Sequence, residues 1–247
     1  MLKDDFVCGY KDISRKHYAG ASGKHRPDEN AVDTTNGAGP HNLQMFILAS
    51  DGTVLTCMPG YWHSEDLAKE LRLAFELNKI WQAHDLSLDQ KKALFSQIQL
   101  AHIQDHGAAE HKRSQMQGFD IQYEAQHRPN SDFFINQRAV DAATGKVDQG
   151  NLKPVDVVMH QRMAARPFEP YEKFDVAVYS DYGKPMYDKH EQFRDANGNI
   201  IPNSNLASEP MIGNDPRAHP IETQVKHQGK SAARQAIMFG IRAALAH

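Results

Sequence analysis

Fourteen histidines stand out in this 247-residue chain, and two of them, His102 and His106, are four residues apart. On a helix that spacing puts both imidazoles on one face, as in helical metal chelation, with His111 one to two turns further on. The intervening residues are Ile103, Gln104 and Asp105, so the pair lacks the glutamate that follows the first histidine of the helical zinc-protease motif. A second set, His41, Cys57 and His63 with Cys8 from the N-terminal end, brackets an apolar stretch. Nitrogen and sulfur donors together suit copper or zinc, and Met45 and Met58 add thioethers. The bland alternative makes the methionines core fillers and the histidines solvated loop residues. Neither set is assured as a full tetrahedral site in sequence, and each is expected to take a ligand from downstream, for instance His160 or His190.

Two cysteines do not make a disulfide framework. Cys8 becomes a nucleophile only where a cation or a helix terminus makes it a thiolate; otherwise it packs as a small hydrophobe. The direction of Cys57 depends on strand register. A bond between the two requires Cα atoms within about 7 Å. Arg162 and Arg166, one helical turn apart, could hold a carboxylate or phosphate, or tie their helix to Asp175, Asp181 or Asp188. Gly229-Lys230-Ser231 is not a phosphate loop, because Gln224 stands where the motif needs glycine. Neither a dinucleotide glycine fingerprint nor a nucleophile elbow is present.

The 31 acidic and 28 basic residues leave a net charge of -3, so no basic excess drives nucleic-acid binding. No run approaches the roughly 20 apolar residues of a membrane span. An apolar fraction of 40% is low for a compact enzyme and points to long loops or a polar surface extension. As written, the polar Met1-Leu2-Lys3-Asp4-Asp5 start is expected of a cytoplasmic protein, or of a periplasmic or exported one after removal of a leader.

Several elements must position these side chains. Residues 43–48 and 53–57 read as two strands around an Asp51-Gly52 turn. Ser64 reads as an N-cap for a helix over 64–82, with Leu67, Leu71, Ala74, Phe75, Asn78 and Trp81 on one face. Ser87 and Gln90 have capping-box spacing and open a second helix carrying Leu94, Phe95, Ile98, Ala101 and His102. Residues 118–150 read as loop with a short strand at Phe133-Phe134-Ile135. Pro154 introduces a helix through Val155, Val158, Met159 and Met163 that Pro167 stops. A strand is expected over 174–179, meandering structure over 180–228, and a helix over 231–246.

The order of strand, Asp51-Gly52 turn, strand, Pro59-Gly60-Tyr61 break and helix resembles the C-terminal half of a thioredoxin-like domain. The resemblance covers about residues 3–82. In Phe6-Val7-Cys8-Gly9-Tyr10-Lys11, Cys8 takes the place of the first cysteine of the family's Cys-x-x-Cys motif after a strand, and Lys11 replaces the second. Pro40 is the nearest equivalent of the family's cis proline. The resemblance implies an α/β fold: a thioredoxin-like core over residues 1–85, with an antiparallel β-hairpin, then a helical hairpin and a long loop-rich C-terminal extension over 86–247 packed on it. It also implies a thiol- or metal-centred activity, redox or copper/zinc binding, at Cys8. The alternative is a non-catalytic binding or scaffold module whose extension offers a surface to a partner or to a second copy of the chain as a homo-oligomer.

Overall fold

The computed structural model describes residues 5–22, 34–136, 147 and 149–187. They form a mixed α/β arrangement in which helices surround a two-stranded antiparallel sheet. The short β1 (Ala21–Ser22) precedes a hairpin made of β2 (Gln44–Leu48) and β3 (Val54–Pro59). Phe46 pairs with Cys57 and Met45 with Met58, and the register shifts between Ile47 and Leu48. That shift belongs to a turn longer than two residues: Ala49 N donates to Thr53 O at 2.8 Å and Gly52 N to Ala49 O at 3.0 Å. Asp51 Oδ1 accepts from Thr53 N at 3.0 Å. Gly52 has φ 86°, the left-handed conformation that glycine enters without a Cβ clash.

All six β3 residues are buried, so this strand shows no polar alternation. Its start is held on the far side by Glu169 O, which accepts from Val54 N at 2.9 Å. At its end Gly60, with φ 73°, lets two backbones touch: a Cβ there would lie 2.5 Å from Ala38 O.

Among the described residues the α-helices that follow are α1 (Ser64–Gln82), α2 (Leu88–Asp105), α3 (Ala108–Arg113), α4 (Gly118–His127), α5 (Val155–Ala164) and the single turn α6 (Val176–Tyr179). The two-residue β4 (Met186–Tyr187) pairs in parallel with β1. Helices α1 and α2 pack on one another across the connection at 83–87, α2 lies along α5, and α1 and α5 both cover β3. Val54, Leu55, Leu77, Phe95, Val158 and Tyr179 fill the space between them. Each such side chain contributes about 1.5–3 kcal/mol when fully buried.

The hairpin, α1, α2 and α5 stand where the sequence places them, and the Ser87–Gln90 capping box forms. Other segments differ. Phe6-Val7-Cys8 is not a strand but chain without regular structure, Phe6 half-buried against Phe75 and Val7 and Cys8 exposed, so Cys8 has no strand end to sit on. The expected strand at 174–179 is the helical turn α6, because Asp175 Oδ1 accepts from Val178 N at 3.1 Å and caps it. The expected loop after Gly118 begins with α4, whose buried face includes Asp120 and Glu124. Those carboxylates accept from Lys184 N at 2.7 Å and Gly183 N at 3.0 Å, and this polar anchoring hides the helix from a hydropathy reading. Residues 133–135 form a single bridge, Phe134 to Leu152, not a strand. The N-cap of α1 is His63, with Ser64 inside the helix. The helix over 231–246, most of the meander over 180–228 and His190 lie outside the described residues.

Candidate metal centre

Four side chains from three helices converge in the interior. Glu70 comes from α1, His102 and His106 from the last turn and C-cap of α2, and His160 from α5. The Nε2 atoms of His160, His102 and His106 lie 3.2, 3.3 and 3.7 Å from Glu70 Oε1. One donor atom from each of the four residues lies within 4.8 Å of all the others. With donor bonds of about 2.1 Å, tetrahedral donors stand about 3.4 Å apart, so three of these separations match a coordination sphere. Glu70, His106 and His160 are buried and His102 is half-buried.

Helical periodicity explains the convergence. The buried residues of α1 are Asp66, Glu70, Leu71, Leu73, Ala74 and Leu77, which share Leu71 and Ala74 with the face expected from the sequence and add two carboxylates to it. On α2 the inward line runs through Phe95 and Gln99 to His102 and His106. On α5, Asp156 and His160 are one turn apart among Val155, Val158, Met159 and Met163. Each helix therefore carries two or more polar side chains within an otherwise apolar stripe, and Glu70, His102, His106 and His160 meet.

Around the four donors is a shell that orients them. His106 Nδ1 lies 2.8 Å from Asp156 Oδ2, and His111 Nδ1 shares that oxygen at 2.9 Å. His160 Nδ1 lies 2.7 Å from Gln99 Oε1. Metal-bound histidines characteristically give the other ring nitrogen to a carboxylate or carbonyl in this way. The group of His106, His111 and Asp156 also lies within 4.8 Å. Its 2.8 and 2.9 Å contacts are hydrogen bonds, and they assign Asp156 to orienting the imidazoles.

The imidazoles and carboxylates of the cluster set one another's proton affinities. Burial raises the Glu70 carboxyl's proton affinity, but the facing His160 and His102 outweigh it and hold its pKa below the ordinary carboxylate range. Burial lowers that of His106, yet the bond to Asp156 and the charges of Glu110 and Glu70 leave it above the usual histidine value. For Asp156, burial is outweighed by His106 and the net direction is down. Glu70 Oε2, His106 Nε2, Glu110 Oε1 and Asp156 Oδ1 are buried with no hydrogen-bond partner. Each such atom costs about 1–3 kcal/mol, more when charged.

Of the residues singled out in the sequence, His102 and His106 join this centre and His160 supplies the downstream donor. The set of Cys8, His41, Cys57 and His63 does not assemble among the described residues. Cys8 is exposed, and Cys57 is buried with its thiol pushed well up by that burial; both are free. The ring nitrogens of His41 face Tyr18 O at 3.2 Å and Tyr182 O at 3.0 Å, and His63 Nε2 faces Thr34 O at 3.0 Å. Arg162 is not an anion site: its guanidinium grips Asp132 at 2.7 and 2.6 Å and Tyr179 O at 2.6 Å.

Comparison with protein-family models, curated proteins and solved structures returns no match. Among the described residues no helix is long and apolar enough to cross a membrane.

Proposed function

We propose that this protein binds one divalent first-row transition-metal ion through Glu70, His102, His106 and His160. The observation that carries the reading is the approach of three imidazole Nε2 atoms to one buried carboxylate oxygen at 3.2–3.7 Å. Three imidazoles and a carboxylate suit zinc, copper(II) or iron(II) better than copper(I), which prefers sulfur. An ion there gives His106 Nε2 a partner and offsets the buried negative charge.

The thiol half of the expected activity has less behind it, since Cys8 is exposed in irregular chain and Cys57 is a buried thiol. What supports a thioredoxin-like core is the order of hairpin and α1; the irregular chain around Cys8 adds nothing to it.

The test is metal content of the full-length protein after loading with zinc and removal of excess. One equivalent is expected, and none in the His106→Ala/His160→Ala double variant. A wild-type protein that retains no metal, or a double variant that retains a full equivalent, overturns the proposal.

A further inference from the structure

Glu110 is the group of this cluster that the four-ligand set leaves unused. It sits on α3, four residues after His106, where the break at Gly107 turns the chain back toward the cluster. Its side chain is 1% exposed. One carboxylate oxygen, Oε2, pairs with Lys69, the neighbour of Glu70 on α1. The other, Oε1, has no hydrogen-bond partner and lies 3.6 Å from His106 Nε2, the same atom that stands 3.7 Å from Glu70 Oε1. A buried carboxylate oxygen left without a partner is expensive, and here it faces the donor atom of a metal ligand.

We propose, on the strength of the metal reading above, that Glu110 is a fifth ligand of the same ion, with Lys69 holding its second oxygen. Glu110 stands outside the four donors that are mutually within 4.8 Å, so it reaches the ion by a turn of its side chain. Lys69 supplies the cation that lets two carboxylates, Glu70 and Glu110, share one divalent ion in a buried site. Five donors take the centre away from the closed tetrahedral arrangement of structural zinc sites. The ion class it fits is one content with five or six nitrogen and oxygen ligands, such as manganese(II), iron(II) or cobalt(II).

Cobalt(II) is the probe, because four-coordinate cobalt absorbs visible light several-fold more strongly than five-coordinate cobalt. The wild-type protein should bind one cobalt with weak bands, and X-ray absorption should count five light donors. Glu110→Gln should keep one cobalt, bind it about tenfold more weakly in line with loss of one supporting carboxylate, and gain the strong four-coordinate bands. Glu110→Asp keeps the charge beside Lys69 but withdraws the oxygen by one methylene, so it gives the same readout should the glutamine variant fail to fold. Strong four-coordinate bands in the wild type, or wild-type spectrum and affinity in the folded Glu110 variants, overturn this inference while leaving the four-ligand site standing. A wild-type protein that takes up no cobalt or zinc overturns both.

Discussion

Gln99 fixes which nitrogen of His160 carries the proton. The Gln99 amide nitrogen donates to Leu55 O at 3.3 Å, which leaves Oε1, an acceptor only, facing His160 Nδ1 at 2.7 Å. Nδ1 must therefore donate, and Nε2, which hydrogen-bonds Glu70 Oε1 at 3.2 Å, is the nitrogen left to offer its lone pair to a metal ion. Leu55 belongs to β3, so strand position is passed through one amide to the protonation pattern of the candidate ligand.

Gln99→Leu should therefore weaken zinc binding without unfolding the protein. Loss of such an orienting partner typically costs about 10–100-fold in metal affinity. Competition with a chromophoric chelator measures the affinity, and the melting curve of the metal-free variant checks the fold. An unchanged affinity would sink the idea that Gln99 positions His160.

The parts of the fold legible in the sequence are those written in apolar periodicity and capping. The hairpin, α1, α2 and α5 each have apolar residues at the right spacing or a matched Ser87–Gln90 pair. Three of the four donors were legible as well, His102 and His106 by type and spacing and His160 as one of the downstream histidines. Glu70 was not, since a glutamate between Lys69 and Leu71 reads as a surface residue. Its spacing of three and seven residues from Leu73 and Leu77 on the same stripe was the available signal. Asp156 and Glu124 were hidden for the same reason: their burial depends on partners brought by distant elements. Cys8 stands at a motif position that the local chain does not build into a strand.

The end of α3 is tied to α1 by an ion pair with a buried carboxylate and a partly exposed guanidinium. Asp66, wholly buried on α1, accepts from Arg113 Nε at 2.8 Å and Nη2 at 2.6 Å, and from Asn36 Nδ2 at 2.7 Å. Burial raises the Asp66 carboxyl's pKa, but the Arg113 and Asn36 hydrogen bonds win and the net direction is down. Arg113→Met should cost about 3 kcal/mol, because it leaves a buried carboxylate with Asn36 alone. Adding Asp66→Asn should recover part of that loss. Urea denaturation of the three variants checks both statements, and a cost near the few tenths typical of an exposed pair would show that the pair is not a buried one.

The two thiols should separate cleanly in a modification experiment. Cys8 is exposed, whereas Cys57 is 1% exposed with its thiol pushed well up by burial. The thiolate is the reactive form, so a disulfide reagent at neutral pH should label one thiol in the native protein and two after denaturation. Cys8→Ala should abolish the native signal and leave zinc content unchanged. Loss of the metal in that variant would restore Cys8 to the centre and refute the ligand set proposed above.

Metal binding and metal-free stability should depend on pH in opposite directions. His106 has its pKa raised in the folded protein, burial acting against the shift and Asp156, Glu110 and Glu70 producing it. Its contribution to metal-free stability is thus complete below the unfolded value of about 6.5 and is lost as pH rises through the folded value. Glu70 and Asp156 have lowered pKa values, so their contributions are present above the unfolded carboxylate value of about 4 and disappear only as pH falls through their depressed folded values. Between about pH 6 and about pH 8 His106 is the one of the three that changes, and the empty protein should lose stability as pH rises. The ion needs the Nε2 lone pair that the proton occupies, so zinc binding should strengthen over the same range. Each proton displaced is worth up to tenfold in affinity per pH unit, about 1.4 kcal/mol. In a domain of this size 1 kcal/mol moves the melting temperature by about 2–4 °C. Calorimetry at several pH values, with and without saturating zinc, should show a melting-temperature gap that widens from about pH 6 to about pH 8. His106→Gln should flatten it, and a gap that is constant or narrows in the wild type would exclude His106 from the metal's ligands.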